Sequence, residues 1–219
     1  MGSEAYADVV YIIGPDSEEL RYSLRSLVNF PHGKVWIFGR CPEWASPDRV
    51  VPFEQTGASK WERSTSTFRK ICGTEEVSED FWLFNDDFFI MEPVAVPYMY
   101  HGTIAEKVKG QRSGYADQLR ECERQLLEKG CTTLNYALHV PMLINKAKAL
   151  EVLDTFTSPM FRSLYGNYCK VGGIEAEDVK NRVGPLMSTS DLEFRHGRCG
   201  RIVRERFTEM SKWEGGKSC

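Results

Sequence analysis

The sequence predicts an α/β fold: a single domain over residues 1–219, with a mostly parallel central sheet covered by helices on both faces. Three observations predict it. Short, continuous apolar runs stand at 8–13 (DVVYII), 34–38 (KVWIF) and 80–84 (DFWLF). Stretches of helical periodicity separate them, and each run closes on glycine or on short polar residues. Continuous apolar strands are those buried on both faces, as in parallel sheets wrapped by crossover helices.

DVVYII is β-branched and ends at Gly14-Pro15, a strand followed by a breaker. Asp16 is the expected N-cap of the next helix, with Glu19 completing a capping box. Leu20, Leu24, Leu27 and Val28 then recur at helical spacing as its apolar face. Pro31-His32-Gly33 breaks that helix, KVWIF is a second strand closed by Gly39, and RVVPF (49–53) is a weaker third. A polar helix is expected from Ser59 to Cys72, stopped by Gly73, and DFWLF follows. Farther on, 115–130 reads as a helix with Gly130 as its stop, 134–145 (LNYALHVPMLIN) as a strand and 146–156 as a helix. Beyond 157 the segments are short and rich in glycine, arginine and aromatics.

Hydrophobic residues at 42% and charged residues at 27% are ordinary for a globular core. A net charge of −3 and a pI near 5.9 exclude a global basic field for nucleic acid and leave only a local patch. No run reaches the ~18 apolar residues of a membrane span. The first residues lack the basic and apolar regions of a secretory leader, and Tyr6 breaks the Met-Gly myristoylation pattern, so a cytoplasmic protein is expected. The seven cysteines include no CxxC pair, so reduced thiols are expected in place of a disulfide framework or a zinc site.

Chemistry concentrates in three places. The first is Asn85-Asp86-Asp87, between FWLF and FFIM. Adjacent carboxylates in apolar surroundings repel one another and resist desolvation. They form either a solvated hairpin turn or a site for a divalent cation, Mn²⁺ or Mg²⁺, that can in turn hold a diphosphate. Ligands of parallel sheets bind beyond the carboxyl ends of the strands. Gly14, Asp16, Arg40 and the triplet would gather there, and with Arg21 and Arg198 they make up the donor-binding candidates, Asn85 and Asp86 included.

The second place is GGIEAED (172–178), where Glu175, Glu177 and Asp178 follow two glycines. It is either a solvated helix start or a loop that brings a general base to substrate. The third is EFRHGRCGR (193–201), continued by Arg204 and Arg206. It reads as a solvated basic tail or as a diphosphate clamp, with His196 as a further metal ligand. His139 reads as a packed core histidine before a catalytic one.

ELRYSLRSL (19–27), KVWIFGRCPEW (34–44) and DFWLFNDDFFIMEPV (80–94) resemble blocks of the Stealth proteins, capsule-type sugar-phosphate transferases related to the lysosomal-enzyme N-acetylglucosamine-phosphotransferase. DVVYI (8–12) resembles their opening strand and HVP (139–141) a later His-x-Pro block. The resemblance covers 8–95 well and 134–145 weakly. It departs where a TWVDG-like segment would follow the first strand, and TSTFRKIC (65–72) is only loosely similar.

The resemblance implies a GT-A type nucleotide-sugar fold, with residues 8–95 as the donor half and 96–219 as the acceptor half. It implies a divalent metal on Asp87 and Asp86, joined by His196, with Asn85 near the donor ribose or sugar. GGIEAED resembles the loop that supplies the base, Asp178 ahead of Glu177 and Glu175. The expected activity is metal-dependent transfer of a sugar from a nucleotide sugar, a UDP-sugar, to an acceptor hydroxyl. The alternatives are sugar-1-phosphate transfer releasing a nucleoside monophosphate, and a non-catalytic nucleotide-sugar-binding module. A glycan, a protein or a modified DNA base remains open as acceptor.

Overall fold

The computed structural model describes residues 6–14, 17–54, 56–57 and 60–215, with the backbone alone at 60 and 61. Its elements run in the order β1 (Asp8–Ile13), α1 (Glu18–Ser26), β2 (Val35–Gly39), β3 (Arg49–Val51), α2 (Lys60–Cys72), β4 (Asp80–Phe84) and β5 (Phe88–Ile90). Then come β6 (Met99–Tyr100), α3 (Ile104–Val108), α4 (Gly114–Glu128), β7 (Met142–Asn145), α5 (Lys146–Thr155) and α6 (Phe161–Tyr168). The chain ends with β8 (Ile174–Glu175), β9 (Leu186–Ser188), α7 (Asp191–His196) and α8 (Arg198–Arg206).

The central sheet has the order β3-β2-β1-β4-β7. The first four strands are parallel and β7 pairs antiparallel with β4, so the sheet is mixed, as expected mostly parallel. Both faces are covered. Val9, Tyr11 and Ile13 pack with Leu20 and Leu24 of α1, while Val10 packs with Phe68 of α2, Ala149 of α5 and Leu164 of α6. That alternation along β1 follows from the strand's period of two.

Three local expectations need correction. Val28 is 81% exposed, because the chain tightens into a 3₁₀ turn over Leu27–Asn29 and swings it off the face that buries Leu20, Leu24 and Leu27. Only Met142–Asn145 of the predicted 134–145 strand joins the sheet. Upstream, other partners take the backbone: Asn167 of α6 bonds both N–H and C=O of Leu134, Ser163 Oγ accepts from Tyr136 N–H, and Asn135 pairs with His101 N–H and the Gly102 carbonyl. Third, the N-cap of α1 is Ser17, one residue later than expected, and the Glu19 carboxylate accepts from Thr189 Oγ1 at 3.1 Å. Asp16 and Ser59 themselves lie outside the described residues.

The strands β1, β2 and β4 end at one edge. Gly39 is required there: its φ is +113°, and a Cβ would stand 2.1 Å from the Ile13 carbonyl oxygen.

Candidate active site at the carboxyl edge of the sheet

Asn85, Asp86 and Asp87 leave the end of β4 in a turn closed by Phe88 N–H to the Asn85 carbonyl, 3.3 Å. The turn is not a hairpin. β4 lies between β1 and β7, and β5 departs to pair with β9. Hydroxyls of α1 fix β5 in place: Ser23 Oγ donates to Phe88 O and Ser26 Oγ accepts from Ile90 N–H. The carboxylates are therefore carried on a braced segment, and both are half-buried.

Each aspartate accepts one side-chain hydroxyl. Ser17 Oγ donates to Asp86 Oδ2 at 2.6 Å, which explains why this N-cap residue makes no cap bond of its own. Ser188 Oγ donates to Asp87 Oδ2 at 2.8 Å, and Lys180 Nζ stands 3.7 Å from the same oxygen. Burial raises the Asp86 pKa, the Ser17 hydrogen bond opposes this, and the Asp87 charge adds to the rise. Beneath them Glu19 is buried, and desolvation together with the charges of Asp86, Asp87 and Asp191 raises its pKa to about 7 despite the Thr189 bond.

Across the edge, Asp178 holds His139, with Nδ1 at 2.7 Å from Oδ2 and the backbone N–H of His139 at 3.0 Å from Oδ1. Burial raises the Asp178 carboxyl, but the bonds from the His139 ring and backbone outweigh it, so the net shift is downward. Such a carboxylate orients an imidazole and selects its tautomer. Gly173 places this loop: its φ is +116° and a Cβ would meet the Tyr98 carbonyl oxygen at 2.2 Å.

Arg162 reaches in from α6. Its Nη1 donates to Val140 O at 2.6 Å, and the guanidinium lies 5.4 Å from the Phe88 ring centre. Its Nη2 is buried without a hydrogen-bond partner among the described residues. Burial lowers its pKa to about 10, and the charges of Asp87 and Asp178 act against that drop. A buried donor without an acceptor is costly unless a ligand completes it.

Gly14, Asn85, Asp86, Tyr115, His139 and Arg162 line a common cavity of about 520 Å³, a size that suits a small-molecule ligand. A larger cavity of about 760 Å³, bordered by Phe30, Met210 and Trp213, includes Arg206 of the basic segment but none of the acidic candidates and no histidine of the predicted site. Chemistry therefore selects the smaller one.

The remaining candidates are placed elsewhere. Arg21 pairs with Glu214 at 2.9 Å and lies 4.2 Å from the Trp44 ring centre. Glu177 pairs with Arg182 on the surface, and Glu175 is exposed in β8. Arg40 is tied to the edge through its backbone N–H, which donates to Ile13 O, and its side chain is exposed. His196 and Arg198 are exposed at the end of α7 and the start of α8.

Among the described residues no three His, Cys, Asp or Glu side chains gather as a metal-ligand set. Asp86 and Asp87 still suit a hard cation on their own. A carboxylate has about four acceptor sites, and Mg²⁺ commonly takes one or two carboxylates with phosphate and water completing its shell. Lys180, Ser188, Arg162 and Glu19 were not among the sequence candidates. No family model matches the sequence, and no curated protein matches it.

Proposed function

We propose that the chain is a divalent-metal-dependent transferase that moves a sugar from a nucleotide sugar, a UDP-sugar, to an acceptor hydroxyl on a GT-A-like fold. The observation that carries this reading is the shared cavity: acidic Asp86 at the end of β4, the Asp178-oriented His139 and the incompletely bonded Arg162 all border it. Asp87 and Asp86 would hold the metal, which neutralises charge on the departing diphosphate. His139 is the proton acceptor, since Asp178 takes its Nδ1 and leaves Nε2 for the acceptor hydroxyl. Asp178 thereby changes from the base expected of the loop to the group that orients the base. Arg162 offers its free donor to a phosphate oxygen.

One observation favours sugar-phosphate transfer as the second reading. Arg162, with Nη2 unbonded among the described residues, lines the cavity together with His139 and Asp86, and a guanidinium there would suit attack at phosphorus.

The test is thermal stability with Mn²⁺ across a panel of nucleotide sugars, in wild type and Asp87→Asn, followed by identification of the released nucleotide. A Mn²⁺-dependent shift with one donor, absent in the variant, supports the site; a ligand at ~100 times its Kd adds about 2.7 kcal/mol. A nucleoside diphosphate product marks glycosyl transfer and a monophosphate marks the second reading. No shift with any donor in either protein withdraws both.

A further inference from the structure

Lys180 sits where a bound cation would place its charge. Its Nζ lies 3.7 Å from Asp87 Oδ2, the oxygen that also accepts from Ser188 Oγ. The segment that carries it is pinned at both ends of the site. Asp178, two residues earlier, holds His139, and the Lys180 N–H lies 3.4 Å from Asp178 Oδ1. Asn181, in a left-handed conformation with φ of 56°, donates its N–H to Ser188 O at 2.7 Å. The backbone is thus fixed, while the Lys180 side chain is 35% exposed on a flexible stem. Arg162 differs: the Val140 carbonyl and the Phe88 ring hold its head in place.

From this geometry we infer that Lys180 is a place-holding cation. It neutralises Asp87 in the free protein, yields that carboxylate to the incoming divalent ion, and turns its ammonium to the phosphate that arrives with the metal. The inference rests on the metal-and-diphosphate reading above. Two cations at one carboxylate repel each other, so Lys180 opposes the metal alone and favours the metal together with a diphosphate. A residue with a merely structural role would not produce effects of opposite sign.

The experiment is Mn²⁺ titration by electron paramagnetic resonance, with Mn²⁺ alone and with Mn²⁺ plus uridine diphosphate, in wild type, Lys180→Met and Lys180→Arg. Lys180→Met is expected to bind Mn²⁺ alone about fivefold more tightly, the scale of a partly exposed ion pair. The same variant should bind Mn²⁺–uridine diphosphate about tenfold more weakly, the scale of a lost charge-assisted bond. Lys180→Arg should stay near wild type in both. If wild type binds Mn²⁺–uridine diphosphate and Lys180→Met matches it in both titrations, or shifts both in one direction, the place-holder is overturned and the proposed function stands. If neither protein binds Mn²⁺ with or without the nucleotide, both are overturned.

Discussion

Asp178 grips His139 twice, through the ring Nδ1 at 2.7 Å and the backbone N–H at 3.0 Å. The double bond pattern fixes ring and main chain together, so the imidazole meets the cavity in one orientation. Asp178→Asn keeps the size but offers an N–H₂ where a carboxylate oxygen stood, and it favours the wrong tautomer. With the donor identified by its stability shift, turnover should fall ~10²–10⁴-fold in Asp178→Asn and in His139→Ala. Glu177→Gln, which loses only a surface pair with Arg182, should stay within ~2-fold. Near-wild-type turnover in Asp178→Asn would take the pair out of the mechanism.

Glu19 carries a pH signature. Its pKa is raised from 4.5 to about 7, first by burial and then by the charges of Asp86, Asp87 and Asp191. The folded state therefore binds this proton more tightly than the unfolded state, and stability declines as pH rises from 4.5 to about 7. Glu19→Gln keeps an acceptor for Thr189 and removes the ionisation. It should match wild type near pH 4 and exceed it by ~1–3 kcal/mol at pH 8. Denaturant midpoints at the two pH values decide; an equal gap at both would mean Glu19 does not titrate in this window.

Glu19 also shows why the site was only half legible in the sequence. The local pattern Asp16-x-x-Glu19 satisfies a capping box, yet the partner that takes the carboxylate is Thr189, 170 residues away. β1, β2 and β4 were readable because most of their residues are buried on both faces, which leaves continuous apolar runs. Asp86 and Asp87 were readable because they interrupt such a run. Residues 134–141 misled because most of their apolar side chains are buried while the backbone is bonded outside the central sheet, by Ser163 and Asn167 of α6 and by the segment after β6 at His101 and Gly102. Lys180 and Arg162 carry no local mark. Chain crossings bring them to the edge: Lys180 reaches Asp87 through the β9 register, and Arg162 reaches Val140 and the Phe88 ring from α6.

Glu214 anchors the opposite end of α1 and accounts for Arg21. Its carboxylate is fully enclosed and pairs with Arg25 at 2.7 Å as well as Arg21. Burial alone would raise its pKa, but the bonds from Arg25, Ser211 and Arg21 bring it down to about 2. A depressed pKa stabilises the fold above the unfolded value and is lost as pH falls from 4.5 toward 2. Glu214→Ala should cost roughly 3–5 kcal/mol in urea unfolding at pH 7, since it strands Arg25. The gap to wild type should narrow on acidification. Arg21→Met should cost roughly 1 kcal/mol and leave Mn²⁺–uridine diphosphate affinity unchanged; weakened affinity would return Arg21 to the donor site.

Gly14 and Gly39 separate a cavity-facing glycine from a structural one on the same edge. Gly39→Ala forces a Cβ against the Ile13 carbonyl at a positive φ and should destabilise by more than ~2 kcal/mol. Gly14 borders the cavity, and a Cβ there would meet no atom of the described residues within 4 Å. Gly14→Ala should therefore leave unfolding within ~0.5 kcal/mol of wild type. If the donor phosphates pass against the end of β1, as phosphates do at strand-to-helix turns, the added methyl should weaken Mn²⁺–uridine diphosphate at least ~10-fold, about 1.4 kcal/mol. Unchanged affinity with unchanged stability would move the diphosphate away from β1, toward Arg162 and the far wall of the cavity.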